Sequence, residues 1–179
     1  MELCVFGAAS DAVPQVYIKQ TELLGERMAA RGHSLVFGGG STGMMGAAAR
    51  GVHAGGGRIL GVAPRFFDRP GVLTELCTEL IFTQTMEERK SVMESRADGF
   101  IIAPGGIGTL DEFFQVLTLR SLGQTDKPVA LYNIDGYYDD LLAFLRSMER
   151  QRFIAPALWD CLGVFSEPDS LLAYMEQYS

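Results

Sequence analysis

Cysteine, histidine and tryptophan are scarce in this chain, at three, two and one of 179 residues. Cys4, Cys77 and Cys161 are odd in number, far apart and without metal-ligand spacing. Neither a disulfide framework nor a metal centre is therefore expected, and all three read as reduced packing residues. His33 and His53 are each isolated in the sequence, and His33 beside Gly32 reads as a helix-end residue; neither is assigned a role. Basic residues are outnumbered as well. With 15 Lys and Arg against 22 Asp and Glu, the net charge of −7 repels nucleic acid and anionic membrane surfaces, so neither is an expected partner. Any bound phosphate must be held locally. No apolar run approaches the roughly 20 residues that span a bilayer. No basic stretch or apolar leader stands ahead of Leu3-Cys4-Val5-Phe6, so the expected location is cytoplasmic. Repeats, low-complexity tracts and linkers are missing too, and 47% hydrophobic residues are enough for one core, which makes 1–179 a single expected domain.

Short apolar runs at 3–6, 34–37, 58–63, 80–82, 99–103 and 128–132 read as strands. They are continuous rather than alternating, as in a parallel sheet covered on both faces. Helices are expected between them at 14–31, 43–53, 86–95, 109–122, 137–150 and 168–178. For the first, Asp11 lies just ahead, Pro14 suits the opening turn and Gly32 can end the helix. This alternation predicts right-handed crossovers and a doubly wound, Rossmann-like three-layer α/β/α sandwich.

In such a sheet, ligands bind beyond the carboxyl ends of the strands. Two strands end in glycine-rich turns there. The first, Phe37-Gly38-Gly39-Gly40-Ser41-Thr42-Gly43, contains a G-x-G-x-x-G match. A dinucleotide is disfavoured, because Ile59-Leu60-Gly61-Val62 stands where an acid should hold the ribose. Gly39, Gly40 and Gly43 can still let a smaller nucleotide approach the backbone, and tight helix-strand packing is the plainer explanation of the same glycines. The second turn, Pro104-Gly105-Gly106-Ile107-Gly108-Thr109-Leu110-Asp111-Glu112, combines consecutive backbone N–H groups with the positive end of a helix. It reads as a phosphate cradle. No Gly-Lys-Ser or Gly-Lys-Thr follows, which excludes a Walker loop and points to a nucleotide substrate with one phosphate.

Thr109-x-x-Glu112 matches a capping box, the structural explanation for its carboxylate. The functional one has Glu112 over the bound sugar, ionised beside the helix N-terminus, stabilising an oxocarbenium ion or orienting water. Thr85-Met86-Glu87-Glu88-Arg89-Lys90 opens the helix before the Pro-Gly-Gly strand. Arg89 can hold a phosphate or a carboxylate bidentately, while Lys90 is equally explained by a solvated charged face.

These residues together resemble the Lonely Guy (LOG) family: Gly38-Gly39-Gly40 with Gly43-Met44-Met45-Gly46, Met86 with Arg89-Lys90, and Pro104-Gly105-Gly106-x-Gly108-Thr109-x-x-Glu112. Tyr17, Leu24-Gly25, Leu122-Gly123, Lys127-Pro128-Val129, Asn133 and Asp135-Gly136-Tyr137-Tyr138 fall in the family's order, so the resemblance spans nearly the whole chain. It implies a dimeric phosphoribohydrolase that converts cytokinin riboside 5′-monophosphates, and often AMP, to free base and ribose 5-phosphate. The implied catalytic pair is Arg89 and Glu112. Gly105, Gly106, Gly108 and Thr109, with Lys90, Asp111 and Met86, are the implied substrate contacts, and no metal or organic cofactor is required. Members are often labelled lysine decarboxylases, but a one-domain pattern of this length leaves no evident place for a pyridoxal fold. Glu87, Leu119, Ser121 and Ala8-Ala9-Ser10 depart from the family's usual His, Trp, Gln and Gly-Ser-Ser, which bears on base preference more than on the reaction. Two other readings remain: a non-catalytic nucleotide-sensing module of the same fold, and a dinucleotide-dependent oxidoreductase, which lacks its ribose acid.

Overall fold

A computed structural model describes residues 1–178. Seven parallel strands form one sheet in the order β4-β3-β2-β1-β5-β6-β7. These are β1 (Glu2–Phe6), β2 (Ser34–Phe37), β3 (Ile59–Pro64), β4 (Glu79–Thr83), β5 (Gly99–Ile102), β6 (Val129–Tyr132) and β7 (Leu162–Phe165). The helices are α1 (Gln15–Ala30), α2 (Gly43–Ala54), α3 (Met86–Arg96), α4 (Ile107–Ser121), α5 (Asp139–Arg150) and α6 (Pro168–Met175). Two apolar layers sandwich the sheet. Leu24, Met28, Ala48, Val52 and Leu172 from α1, α2 and α6 pack on one face. Met93 and Phe113, with Val116 and Leu117, bring α3 and α4 onto the other. The doubly wound, three-layer expectation holds, and continuous burial along β2, β3, β5 and β6 explains their unbroken apolar runs.

The edge strand β7 was not foreseen. Leu162-Gly163-Val164-Phe165 is short and glycine-interrupted, with its last two residues less buried, so it lacks the pattern of the central strands. Its partner is β6, through pairs such as Leu131 with Val164. Three local expectations also change. Helix α4 begins at Ile107 rather than 109, with Gly106 at its N-cap and no side-chain cap. The Thr109-x-x-Glu112 box therefore does not form. A capping pair does form at α3, where Thr85 Oγ1 accepts from the Glu88 amide at 3.1 Å and Glu88 Oε2 accepts from the Gln84 amide at 2.7 Å. Asp11, expected to precede α1, instead accepts from the Gly43 amide at 2.8 Å and so caps α2. Gly32 ends α1 as expected, with φ of 76°. His33 is nearly buried, with Nε2 2.9 Å from Glu176 Oε1, and helps tie the chain's end segment to β2's entrance.

The order of strands sets where a ligand can sit. Chain leaving β1 turns toward β2, and chain leaving β5 turns toward β6, so the two loops diverge and leave a crevice at their carboxyl ends. The Ala8 amide donates to the Pro104 carbonyl at 3.0 Å and fixes the loops side by side. The first layer owes its closeness to glycine: a Cβ on Gly51 would overlap the Glu22 carbonyl, and one on Gly25 the Ala48 carbonyl. Helix propensity alone favours Gly51→Ala by about 1 kcal/mol. Overpacking against backbone costs about 1–3 kcal/mol. We therefore expect Gly51→Ala to lower the urea midpoint; a raised midpoint would refute the tight α1–α2 contact.

Candidate active site

Arg89 and Glu112 meet. Arg89 Nη1 lies 2.6 Å from Glu112 Oε1, and both side chains are nearly buried, at 8% and 12% exposure. The pair that the family resemblance implies is thus in direct contact. Arg89 is on the second turn of α3, and its Nε donates to the Val62 carbonyl of β3 at 3.2 Å. Its outer nitrogen lies against Gly38, where any Cβ would overlap Nη2. The first glycine of the first turn thus seats the catalytic candidate of a different element, a role that the sequence pattern did not assign.

The rest of that first turn is closed. Ser41 donates its amide to Val72 at 3.0 Å, Thr74 donates to the Gly39 carbonyl at 2.9 Å, and Gly40 bridges Leu73. Gly43, at φ 61°, packs its Cα against the Ala8 carbonyl and gives its amide to Asp11. Gly39 and Gly43 have the positive φ that suits glycine, and a Cβ on Gly40 would overlap the Met45 side chain. Met86, half-exposed, opens α3 nearby.

The second turn is open. Nothing lies within 4 Å of a Cβ built on Gly106 or Gly108, so both Cα faces look onto free space. Gly105 differs, since a Cβ there would strike the Thr109 hydroxyl. Two tyrosines that sequence reasoning left without a site role hold the turn from behind: Tyr137 donates to the Gly105 carbonyl and Tyr138 to the Ala103 carbonyl, each at 2.7 Å. The first amides of α4 have no carbonyl a turn ahead of them. Gly108, Thr109 and Glu112 stand three and four residues apart, which places all three on one side of α4. An anion at the turn and the Glu112 carboxylate are therefore one helical turn from each other. Lys90 Nζ pairs with Asp111 Oδ2 at 3.0 Å on the solvent side of the same pair of helices. Beside the turn, Ala8, Val13, Tyr17, Met44, Gly106 and Tyr137 help line a mostly apolar cavity of about 340 Å3.

Burial pushes the Glu112 carboxyl above the usual carboxylate range, and the charge and hydrogen bond of Arg89 oppose that rise. The expectation of a carboxylate held ionised by a helix dipole is thus replaced by one balanced between desolvation and a cation. Because the folded value is raised, the stability contributed by protonated Glu112 is full below its unfolded value and lost as pH rises through the folded one.

The fold and this turn define a Rossmann-like α/β protein with an open glycine turn at a helix N-terminus beside a buried Arg–Glu pair. A family model described as "Possible lysine decarboxylase" matches residues 45–175. A "Probable cytokinin riboside 5'-monophosphate phosphoribohydrolase" of Oryza sativa subsp. japonica is 37% identical over 99% of this chain and 72% of its own length. A cytokinin riboside 5'-monophosphate phosphoribohydrolase of Arabidopsis thaliana is 35% identical over 99% of this chain and 82% of its own. Among solved structures, the molybdenum cofactor binding protein from Rippkaea orientalis has the same fold, with a TM-score of 0.75 at 21% identity, covering 98% of this chain and 96% of its own. The chain belongs to the LOG family.

Replacing Arg89 with Leu removes the cation that opposes burial. The Glu112 carboxyl should then titrate at higher pH than in the unaltered protein, read by carboxyl-carbon NMR. An unchanged midpoint would show that the two groups are not coupled.

Proposed function

We propose that this protein hydrolyses the N-glycosidic bond of purine nucleoside 5′-monophosphates, cytokinin riboside monophosphates or AMP, to free base and ribose 5-phosphate. The observation that carries this reading is the Arg89–Glu112 contact one helical turn from the open Gly106 and Gly108 backbone. The names of relatives at 35–37% identity support it.

The phosphate oxygens accept from the first amides of α4, where the helix dipole favours an anion. Thr109 closes one side of that turn, and Lys90 and Asp111 stand at its rim. The C1′–N bond breaks with its electron pair leaving on the base, which takes up a proton. Glu112 stabilises the ribosyl cation, as a fixed charge in a largely dry site does best. Water adds to C1′ and gives up a proton. Arg89 holds the carboxylate in position and balances its charge, because a guanidinium is too weak an acid to supply the leaving-group proton.

A pyridoxal cofactor, as a lysine decarboxylase would use, needs a lysine amine inside the site to form its Schiff base. The chain has three lysines. Lys90 is paired with Asp111, Lys127 donates to the Glu94 carbonyl at 2.7 Å, and Lys19 is exposed on α1. None fits. The only other partner proposed is a second copy of the chain, supported by Ile107 and Phe114, apolar and exposed on α4. Cytoplasmic location is proposed on the same footing; no helix among the described residues is long and apolar enough to cross a membrane.

Purified protein should release free base from AMP and from isopentenyladenosine monophosphate. Glu112→Gln should lower kcat by about 100-fold or more. Release no greater than that variant's would overturn the hydrolase. Gly106→Ala has room for its methyl group, so folding should be unaffected while KM rises by roughly tenfold or more. An unchanged KM would remove the turn from the site.

A further inference from the structure

The chain is acidic, yet its arginines are unevenly partnered. Of the twelve arginines, seven have a carboxylate oxygen within 4.0 Å among the described residues. Arg65 lies over the Phe82 ring, and Arg69 sits in an exposed loop. The remaining three, Arg146, Arg150 and Arg152, fall within seven residues, are exposed, and all line one open surface cavity of about 670 Å3, together with Glu149, Ile154 and Pro156.

Arg146 and Arg150 are four residues apart on α5, so they share one face of the helix near its carboxyl end. Arg152 follows with φ of 64°, a left-handed backbone uncommon for a residue other than glycine. Glu149, the carboxylate lining the cavity, is engaged elsewhere: its Oε2 accepts from the Trp159 indole at 2.7 Å. Arg146 lies over that same ring, its Cζ 4.3 Å from the ring centre, which orients one guanidinium without neutralising it. The arginines do not serve as caps either, because backbone amides of Gln151, Arg152 and Phe153 already occupy the carbonyls of α5's last turn.

We propose that this cavity binds a small phosphate-bearing anion with at least two negative charges, held by the guanidiniums of Arg146, Arg150 and Arg152. Planar guanidinium forks match phosphate oxygens two at a time, and three around one concavity can surround a phosphomonoester. Helix α5 runs back from the carboxyl end of β6 toward the entrance of β7, so its last turn is at the opposite edge of the sheet from the Gly105–Thr109 turn. The site is therefore separate from the Arg89–Glu112 pair, and its occupant is not the molecule being cleaved there. The shared chemistry of inorganic phosphate and a sugar phosphate makes either a candidate occupant.

The test is site-resolved modification of arginine by phenylglyoxal in the intact protein, read by peptide mass spectrometry, with inorganic phosphate or ribose 5-phosphate as protecting ligand. Arg69, exposed and outside the cluster, is the internal reference. We expect either ligand to slow modification of Arg150 and Arg152 severalfold relative to Arg69, and the one effective at lower concentration identifies the natural class. The protection should disappear for Arg152 in Arg150→Gln and persist in Glu112→Gln. Equal rates with and without both ligands would overturn the proposal. So would failure of all three arginines to react while Arg69 does, which would mean that another copy of the chain covers the face.

Discussion

A guanidinium and a carboxylate taken out of water together set the terms for this molecule. Arg89 and Glu112 come from α3 and α4, and each is nearly enclosed, so each supplies the opposite charge that offsets the other's loss of water. Removing one partner from such a pair costs about 3–5 kcal/mol. The surroundings are built to hold it: the Val62 carbonyl takes the inner N–H, and the bare Cα of Gly38 leaves room for the outer nitrogen. The same contact that joins two helices also holds the Glu112 carboxylate one helical turn from the open Gly108 backbone.

The two glycine turns show how similar sequence serves opposite ends. In the first, positive φ at Gly39 and Gly43 lets the chain fold under Arg89 and against Ala8, and the Ser41 and Gly43 amides donate to Val72 and Asp11. In the second, Gly106 and Gly108 face open space, with Tyr137 and Tyr138 supporting the turn from behind. One turn builds the wall and the other presents the floor. The topological reversal at β1 and β5 gathers both at one sheet edge.

Fold and chemistry separate in the comparisons. The Rippkaea orientalis protein shares the architecture at 21% identity and is described by a molybdenum cofactor, so the sheet alone does not determine what is bound. What distinguishes the chain is the placement of particular side chains on a common frame. At the far end of α5, the same frame leaves three arginines without a carboxylate partner among the described residues, on a surface that the crevice does not reach.

Layering and element order were legible in the sequence because they follow from local periodicity. The unbroken apolar runs of β2, β3, β5 and β6 and the glycine that ends α1 could be read residue by residue. The second glycine turn was legible for the same reason, since Gly105, Gly106 and Gly108 stand within four residues. Strand β7 was not, because a four-residue edge strand with a central glycine takes its conformation from its pairing with β6. Nor could residue spacing show that Thr109 does not cap, that Asp11 serves α2, or that Gly38 seats Arg89. Those facts depend on which distant backbone comes within reach after the sheet has formed. Spacing along the chain specifies what a segment can become, while only the packed sheet decides which charge each carboxylate meets.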